Sequence, residues 1–133
     1  MVARLRIHIH GAKGLPAADS NGLSDPFLTG ELEGKPKTKF KTEIVPGTLN
    51  PTWDQDFVIN GFERGDMLSL KVFDYDNMVK AYTVGNDFLG ATLMLGEDFY
   101  PYGFDGQVEL TETGKPGPPP SLRLRIEVDE EAS

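Results

Sequence analysis

Residues 4–10 read RLRIHIH. Leu5, Ile7 and Ile9 alternate with Arg4, Arg6, His8 and His10, the period of two that marks a strand with one buried and one wet face. Residues 121–128, SLRLRIEV, repeat the pattern, with Leu122, Leu124, Ile126 and Val128 set against Ser121, Arg123, Arg125 and Glu127. Between these two ends, Phe27–Glu33, Lys37–Thr42, Phe57–Asn60, Met67–Phe73, Phe88–Leu95 and Gln107–Thr111 read as further strands. Gly34-Lys35-Pro36, Pro46-Gly47, Asn50-Pro51, Asn60-Gly61 and Gly65-Asp66 punctuate them as turns. Eight short strands without a helical period predict an all-β, antiparallel sandwich or barrel. Gly96–Tyr102 has room for one short turn of helix. Thr113–Pro120, TGKPGPPP, has the composition of a stiff surface connection, and the polar end Asp129–Ser133 is expected to fray.

A chain of 133 residues fits one domain, expected over 1–129 with a short acidic tail at 130–133. At this size roughly two-thirds of the unfolded chain's surface is buried on folding, so no disulfide or metal staple is required. There is no cysteine, which excludes a thiol nucleophile, a disulfide framework and a thiolate zinc site. No secretory signal and no apolar run of about 20 residues is visible, so the expected location is cytoplasmic. The formal charge of −8 argues against nucleic acid as a partner, and against an anionic bilayer reached through the overall field alone. An anionic partner then requires a local basic patch or a bridging cation.

The carboxylates suggest the cation. Asp19 and Asp25 flank a turn-rich segment in DSNGLSDPF, residues 19–27. Asp74 and Asp76 lie at i and i+2, on one side of an extended chain, and Asp87 opens the next strand. Carboxylates brought to one rim repel and raise one another's pKa unless something positive stands between them. Calcium takes 6–8 oxygen ligands at about 2.3–2.6 Å and tolerates irregular loops, whereas magnesium requires a stricter octahedron. With imidazoles only at His8 and His10, zinc is disfavoured. An EF-hand is rejected: position 12 of the loop is Gly30 counted from Asp19, and Gly85 counted from Asp74, where a bidentate glutamate is needed.

Three ordered motifs carry a family resemblance. They are Asp19…Asp25-Pro26-Phe27, then Thr48-Leu49-Asn50-Pro51-Thr52-Trp53, then Phe73-Asp74-Tyr75-Asp76 with Asn86-Asp87-Phe88-Leu89-Gly90. Together they resemble a C2 domain, the calcium- and phospholipid-binding sandwich. The resemblance implies two four-stranded antiparallel sheets with calcium held at the end formed by loops near 16–25, 46–53 and 75–87. It implies the second of the family's two permuted topologies, in which the last strand lies beside the first. It implies two or more calcium ions on the side chains of Asp19, Asp25, Asp74, Asp76 and Asp87, with backbone oxygens near Ala18 and Tyr75. The span from Asp76 to Asp87 is longer than the family usually has, which leaves Asp87 the least secured of the set.

The function implied is calcium-dependent binding to anionic phospholipid membranes, by phosphatidylserine or phosphoinositide, as a peripheral protein. Met78, Val79, Tyr82 and Val84 are apolar residues at the loop tip, placed either to enter the bilayer or to pack back on the sandwich, and Leu23 of the first loop is added to those that would enter it. Lys37, Lys39 and Lys41 recur at i, i+2 and i+4, with Lys35 just before, and face one way on a strand. The resemblance makes this stripe a candidate phosphoinositide site; a solvated face is the plainer alternative. His8 and His10 read as a surface strand more readily than as metal ligands, and Trp53 and Phe57 as core. Arg4, Arg6, Arg123 and Arg125 would form a second basic patch if the end strands pair, unless neighbouring acids neutralise it. A calcium-independent protein-binding module of the same fold is the alternative function. Catalysis is not expected, because no histidine, serine elbow or glycine-rich phosphate loop accompanies the carboxylates. A monomer is expected.

Overall fold

The computed structural model describes residues 2–17, 22–75 and 87–130. Its strands are β1 (Val2–Lys13), β2 (Pro26–Leu32), β3 (Lys35–Lys41), β4 (Thr52–Glu63), β5 (Met67–Asp74), β6 (Asp87–Leu95), β7 (Phe104–Glu109) and β8 (Ser121–Glu130). They form two antiparallel four-stranded sheets, ordered β4-β1-β8-β7 and β3-β2-β5-β6. The all-β sandwich is the one expected, and β1 pairs with β8, the expected adjacency of first and last strands. One turn of 3₁₀ helix, Gly96–Asp98, falls where a short helical turn was expected.

The alternation of β1 and β8 translates directly into packing. Leu5, Ile7 and Ile9 are fully buried and pair with Val128, Ile126 and Leu124 of β8, and they share one core cluster with Leu28, Leu32, Leu68, Leu70 and Val72 of the facing sheet. Burial of each such side chain contributes about 1.5–3 kcal/mol. Trp53 is buried as expected. Phe57 is half-buried and stacks on Phe40 at 4.6 Å, joining the edge strands of the two sheets.

Three strand expectations need correction. β4 runs from Thr52 to Glu63 rather than over Phe57–Asn60, because Asn60-Gly61 is a bulge within the strand and not a turn. Ala3 pairs with Phe62 and Leu5 with Ile59, so Asn60 and Gly61 together oppose Arg4, and Gly61 takes φ +85°. β7 lies at Phe104–Glu109 rather than Gln107–Thr111; Thr111 instead makes an isolated bridge to Ala91 of β6. At the other end, Asp129 and Glu130 are not a frayed tail. They belong to β8 and pair with Arg4 and Ala3.

A second bulge lies where β1 and β4 approach the loops. Ile9 pairs with Gln55 and Gly11 with Thr52, so His10 faces both Trp53 and Asp54. Gly11 is required there: a Cβ would stand 2.3 Å from the carbonyl oxygen of Pro51. Asp54 takes φ +45°, a conformation that aspartate tolerates better than most side chains.

Candidate functional site

Register brings the described acids to one end. Pro26 of β2 pairs with Asp74 of β5, and Asp74 pairs in turn with Asp87, the first residue of β6. Asp25 precedes Pro26 directly. Asp25, Asp74 and Asp87 therefore share a rim. Asp74 is 2% exposed, Asp25 half-buried and Asp87 exposed. Asp19, Asp76 and Ala18 lie outside the described residues, as do Met78, Val79, Tyr82 and Val84. Leu23 and Tyr75 are exposed at the same end.

Hydrogen bonds fasten this rim to its scaffold. Asp74 Oδ1 accepts from the Asp25 amide at 2.6 Å, and the Tyr75 amide donates to the Asp25 carbonyl at 2.9 Å. Asp25 Oδ1 accepts from the Gly47 amide at 2.7 Å. The segment 46–51 contributes backbone and scaffold to this end. Thr48 donates its amide to Ser24 O at 2.8 Å, Leu15 to Leu49 O at 3.1 Å and Ala12 to Pro51 O at 3.0 Å. Asn50 Oδ1 accepts from the Gly14 amide at 2.9 Å. Buried Ser24 bonds through Oγ to Pro16 O at 3.1 Å, and Trp53 Nε1 donates to Pro26 O at 3.3 Å. The Thr48–Trp53 motif is thus the brace that positions the acids. Ser24, Gly47 and Asn50 are site-building residues that spacing alone does not reveal.

The donor set is hard oxygen throughout, which suits calcium. A buried carboxylate steadied by a backbone amide is the kind of outer hydrogen bond that orients metal ligands. The described acids of the rim do not by themselves gather three ligand atoms within 4.8 Å. Among the described residues that closeness occurs at His8, His10 and Asp54.

The outer face of the second sheet carries the lysines. Lys37, Lys39 and Lys41 are exposed, with Thr38 and Phe40 half-buried behind them. Lys39 and Lys41 line a shallow depression of about 710 Å³ with Lys71, Thr29, Ser69 and Glu31. Lys37 does not line it. Lys71 was not singled out from the sequence, although the alternation of Met67–Phe73 places Ser69, Lys71 and Phe73 on one face. Lys41 Nζ lies 5.8 Å from the centre of the Phe27 ring. Phe27, Phe73 and Phe88 form a chain of ring contacts at 5.7 and 5.8 Å between the lysines and the acidic rim. Lys35 leaves the stripe. It bonds Asp66 at 2.6 Å and the Gly61 carbonyl at 2.9 Å, and the Asp66 bond raises its amine above the ordinary 10.5 against a smaller lowering by burial.

The second basic patch is neutralised, as its neighbours allowed. Arg6 pairs with Glu127 at 2.8 Å and Asp129 at 2.9 Å, Arg125 with Glu127 at 3.2 Å, and Arg123 with Asp105 at 3.5 Å. On the same face His8 and His10 meet the bulged β4. His10 Nδ1 lies 2.6 Å from Asp54 Oδ1, which holds that carboxyl below its ordinary 3.8, and His8 Nδ1 lies 2.8 Å from Asp56.

Comparison with known proteins agrees with this architecture. The C2 domain family model matches residues 3–109. Synaptotagmin-4 of Arabidopsis thaliana is 38% identical over 92 residues, covering 68% of this chain and 15% of its own length. Rabphilin-1 of Caenorhabditis elegans is 37% identical over 95 residues, covering 67% of this chain and 8% of its own. The chain thus spans less than a fifth of either relative. Among solved structures, a C2 domain of a plant Extended Synaptotagmin 1 superposes with a TM-score of 0.83 at 18% identity, covering 99% of this chain and 98% of that one. The calcium-bound pair of C2 domains of Extended-Synaptotagmin 2 superposes with a TM-score of 0.73 at 25% identity, covering 95% and 45%. Sandwich, strand adjacency, ordered motifs and family match together establish that this chain belongs to the C2 domain family.

Proposed function

We propose that this C2 domain is a lipid-membrane-binding module whose attachment to anionic phospholipid is switched by calcium. The observation that carries the reading is the cross-strand alignment of Asp74 with Asp87 beside Asp25, with Asp74 buried and like charges directly opposed. Directly opposed like charges destabilise a sheet pair, so the arrangement makes physical sense as half of a cation cage. Asp25, Asp74 and Asp87, with Asp19, Asp76 and backbone oxygens near Ala18 and Tyr75, would hold the ions. Calcium supplies positive charge, and coordination positions that a lipid phosphate can complete. Two ions add four charges, taking the formal −8 to −4 with the whole change at one rim. The field of that rim reaches about 8–10 Å at physiological salt, so it acts on a surface already close by.

Exposed Leu23, with Met78, Val79 and Tyr82, supplies apolar surface at about 25 cal/mol per Å² buried in the interface. The depression around Lys39, Lys41 and Lys71, flanked by Lys37, is the proposed headgroup site for phosphoinositide; each basic residue near an anionic bilayer contributes about 1 kcal/mol. The calcium-bound state of the Extended-Synaptotagmin 2 structure supports the reading. The role is binding rather than catalysis, at a membrane reached from the cytoplasmic side, by a monomer. Calorimetric titration with calcium tests it: we expect a saturable response from the wild type that Asp25→Asn weakens at least tenfold. A wild type that takes up no calcium at millimolar concentration would leave the calcium-independent protein-binding module as the better account.

A further inference from the structure

We infer that His8, His10 and Asp54 form a site for a divalent transition ion of borderline softness, represented by Zn²⁺, on the outer face of the β4-β1-β8-β7 sheet and apart from the acidic rim. His8 Nε2 and His10 Nδ1 converge on one atom, Asp54 Oδ1, at 3.3 and 2.6 Å. The three ligand atoms all lie within 4.8 Å of one another. With metal–ligand bonds of about 2.0–2.2 Å, a tetrahedral zinc site separates its ligand atoms by roughly 3.3 Å, so the His8–Asp54 spacing of 3.3 Å already fits and the His10–Asp54 spacing of 2.6 Å has to open by about 0.7 Å.

The bulge creates this convergence. It places two β4 residues against His10 and sets Asp54 at φ +45°, re-aiming its carboxylate over both imidazoles. His8 carries a further feature of metal-binding histidines. Its other nitrogen, Nδ1, lies 2.8 Å from Asp56 Oδ1, the carboxylate contact that fixes ring orientation and leaves Nε2 to ligate. Both nitrogens of His8 therefore face carboxylate oxygens. A neutral imidazole has only one N–H, so one of the two contacts sets lone pair against lone pair unless a second proton or a metal ion stands between. Arg125, paired with His8 across the sheet, does not fill that role, because it is turned to Glu127 at 3.2 Å. Imidazole nitrogens select zinc, copper or nickel over calcium. His10 and Asp54 remain about half exposed, leaving room for water or an exogenous ligand to complete the shell.

The test is titration of the whole chain with Zn²⁺ alone against a chromophoric competitor, with long-range ¹⁵N NMR of the two rings. Expected are one ion per chain at this face, with the ¹⁵N signals of His8 Nε2 and His10 Nδ1 displaced. His8→Gln, His10→Gln and Asp54→Asn should each weaken binding at least tenfold, and Asp56→Asn by 10–100-fold. Asp25→Asn should leave zinc affinity unchanged, whether or not it affects calcium. Melting curves without metal check that each variant is folded. Zinc that displaces neither ring, that binds a His8→Gln/His10→Gln variant within twofold of wild type, or that is lost in Asp25→Asn would overturn the site.

Discussion

Replacing Asp74 by asparagine separates the two roles of that side chain. The asparagine keeps an oxygen for the Asp25 amide, which the carboxylate holds at 2.6 Å, but the bond is no longer charge-assisted, a loss of about 1 kcal/mol. Against this, the variant removes a charge that is 2% exposed and opposes Asp87 directly. Relief of that repulsion returns about 0.2–1 kcal/mol, and the lighter desolvation adds to it. In chelator, therefore, Asp74→Asn should melt within about 1 kcal/mol of wild type, roughly 3–5 °C in either direction for a domain of this size. In calcium the outcome should divide. At 100 times the dissociation constant a ligand stabilises the fold by about 2.7 kcal/mol, so wild type should rise by roughly 8–13 °C and the variant by little. Scanning calorimetry of both proteins in chelator and in excess calcium reads all four values. If Asp74→Asn loses several kcal/mol in chelator and still gains the full calcium shift, Asp74 is a structural buried acid and the cation-cage argument fails.

Further expectations follow from particular contacts. Neutralising Lys39 and Lys41 together should weaken binding to phosphoinositide vesicles selectively, with little change on phosphatidylserine alone; equal affinities would mark the stripe as a solvated face. Gly11→Ala should destabilise by about 1–3 kcal/mol or more, because the new methyl meets backbone at 2.3 Å; denaturant unfolding with an unchanged midpoint would contradict the close approach. Lys35→Met should lose about 1.5 kcal/mol, near the low end for charged hydrogen bonds because the pair is partly exposed. Since Asp66 raises the folded-state pKa of Lys35 above 10.5, its contribution is complete below pH 10.5 and fades as pH rises through the folded value. Wild-type stability should accordingly fall more steeply than that of Lys35→Met above pH 10.5, and parallel curves would refute the pairing.

The sequence made β1 and β8 legible because each presents one uninterrupted alternation to a single core. β4 was harder. Asn60-Gly61 has the chemistry of a turn, and only its pairing partner on β1 decides that it is a bulge. The rim acids were visible as residue types, yet their alignment rests on the Pro26–Asp74–Asp87 register, which no local pattern encodes. Ser24 and Asn50 bond backbone groups of other segments, and Gly47 offers only its own amide to Asp25, so spacing does not expose them. Lys71 was readable in principle from its own strand and joins the lysines only through β2. Lys35 counts as one more base in the chain, but Asp66 and the Gly61 carbonyl, distant in sequence, turn it away from the stripe. His8 and His10 were evident as a pair, whereas Asp54 joins them only because the bulge in the neighbouring β4 sets it in the left-handed region.

The most direct measurement is co-sedimentation with phosphatidylserine vesicles, with and without phosphoinositide, first in calcium and then in excess chelator. A calcium switch at the acidic rim gives pelleting in calcium, release by chelator, and loss of the calcium-dependent fraction in Asp25→Asn and Asp76→Asn. Equal pelleting in calcium and chelator, or none in either, would contradict a calcium switch at this rim.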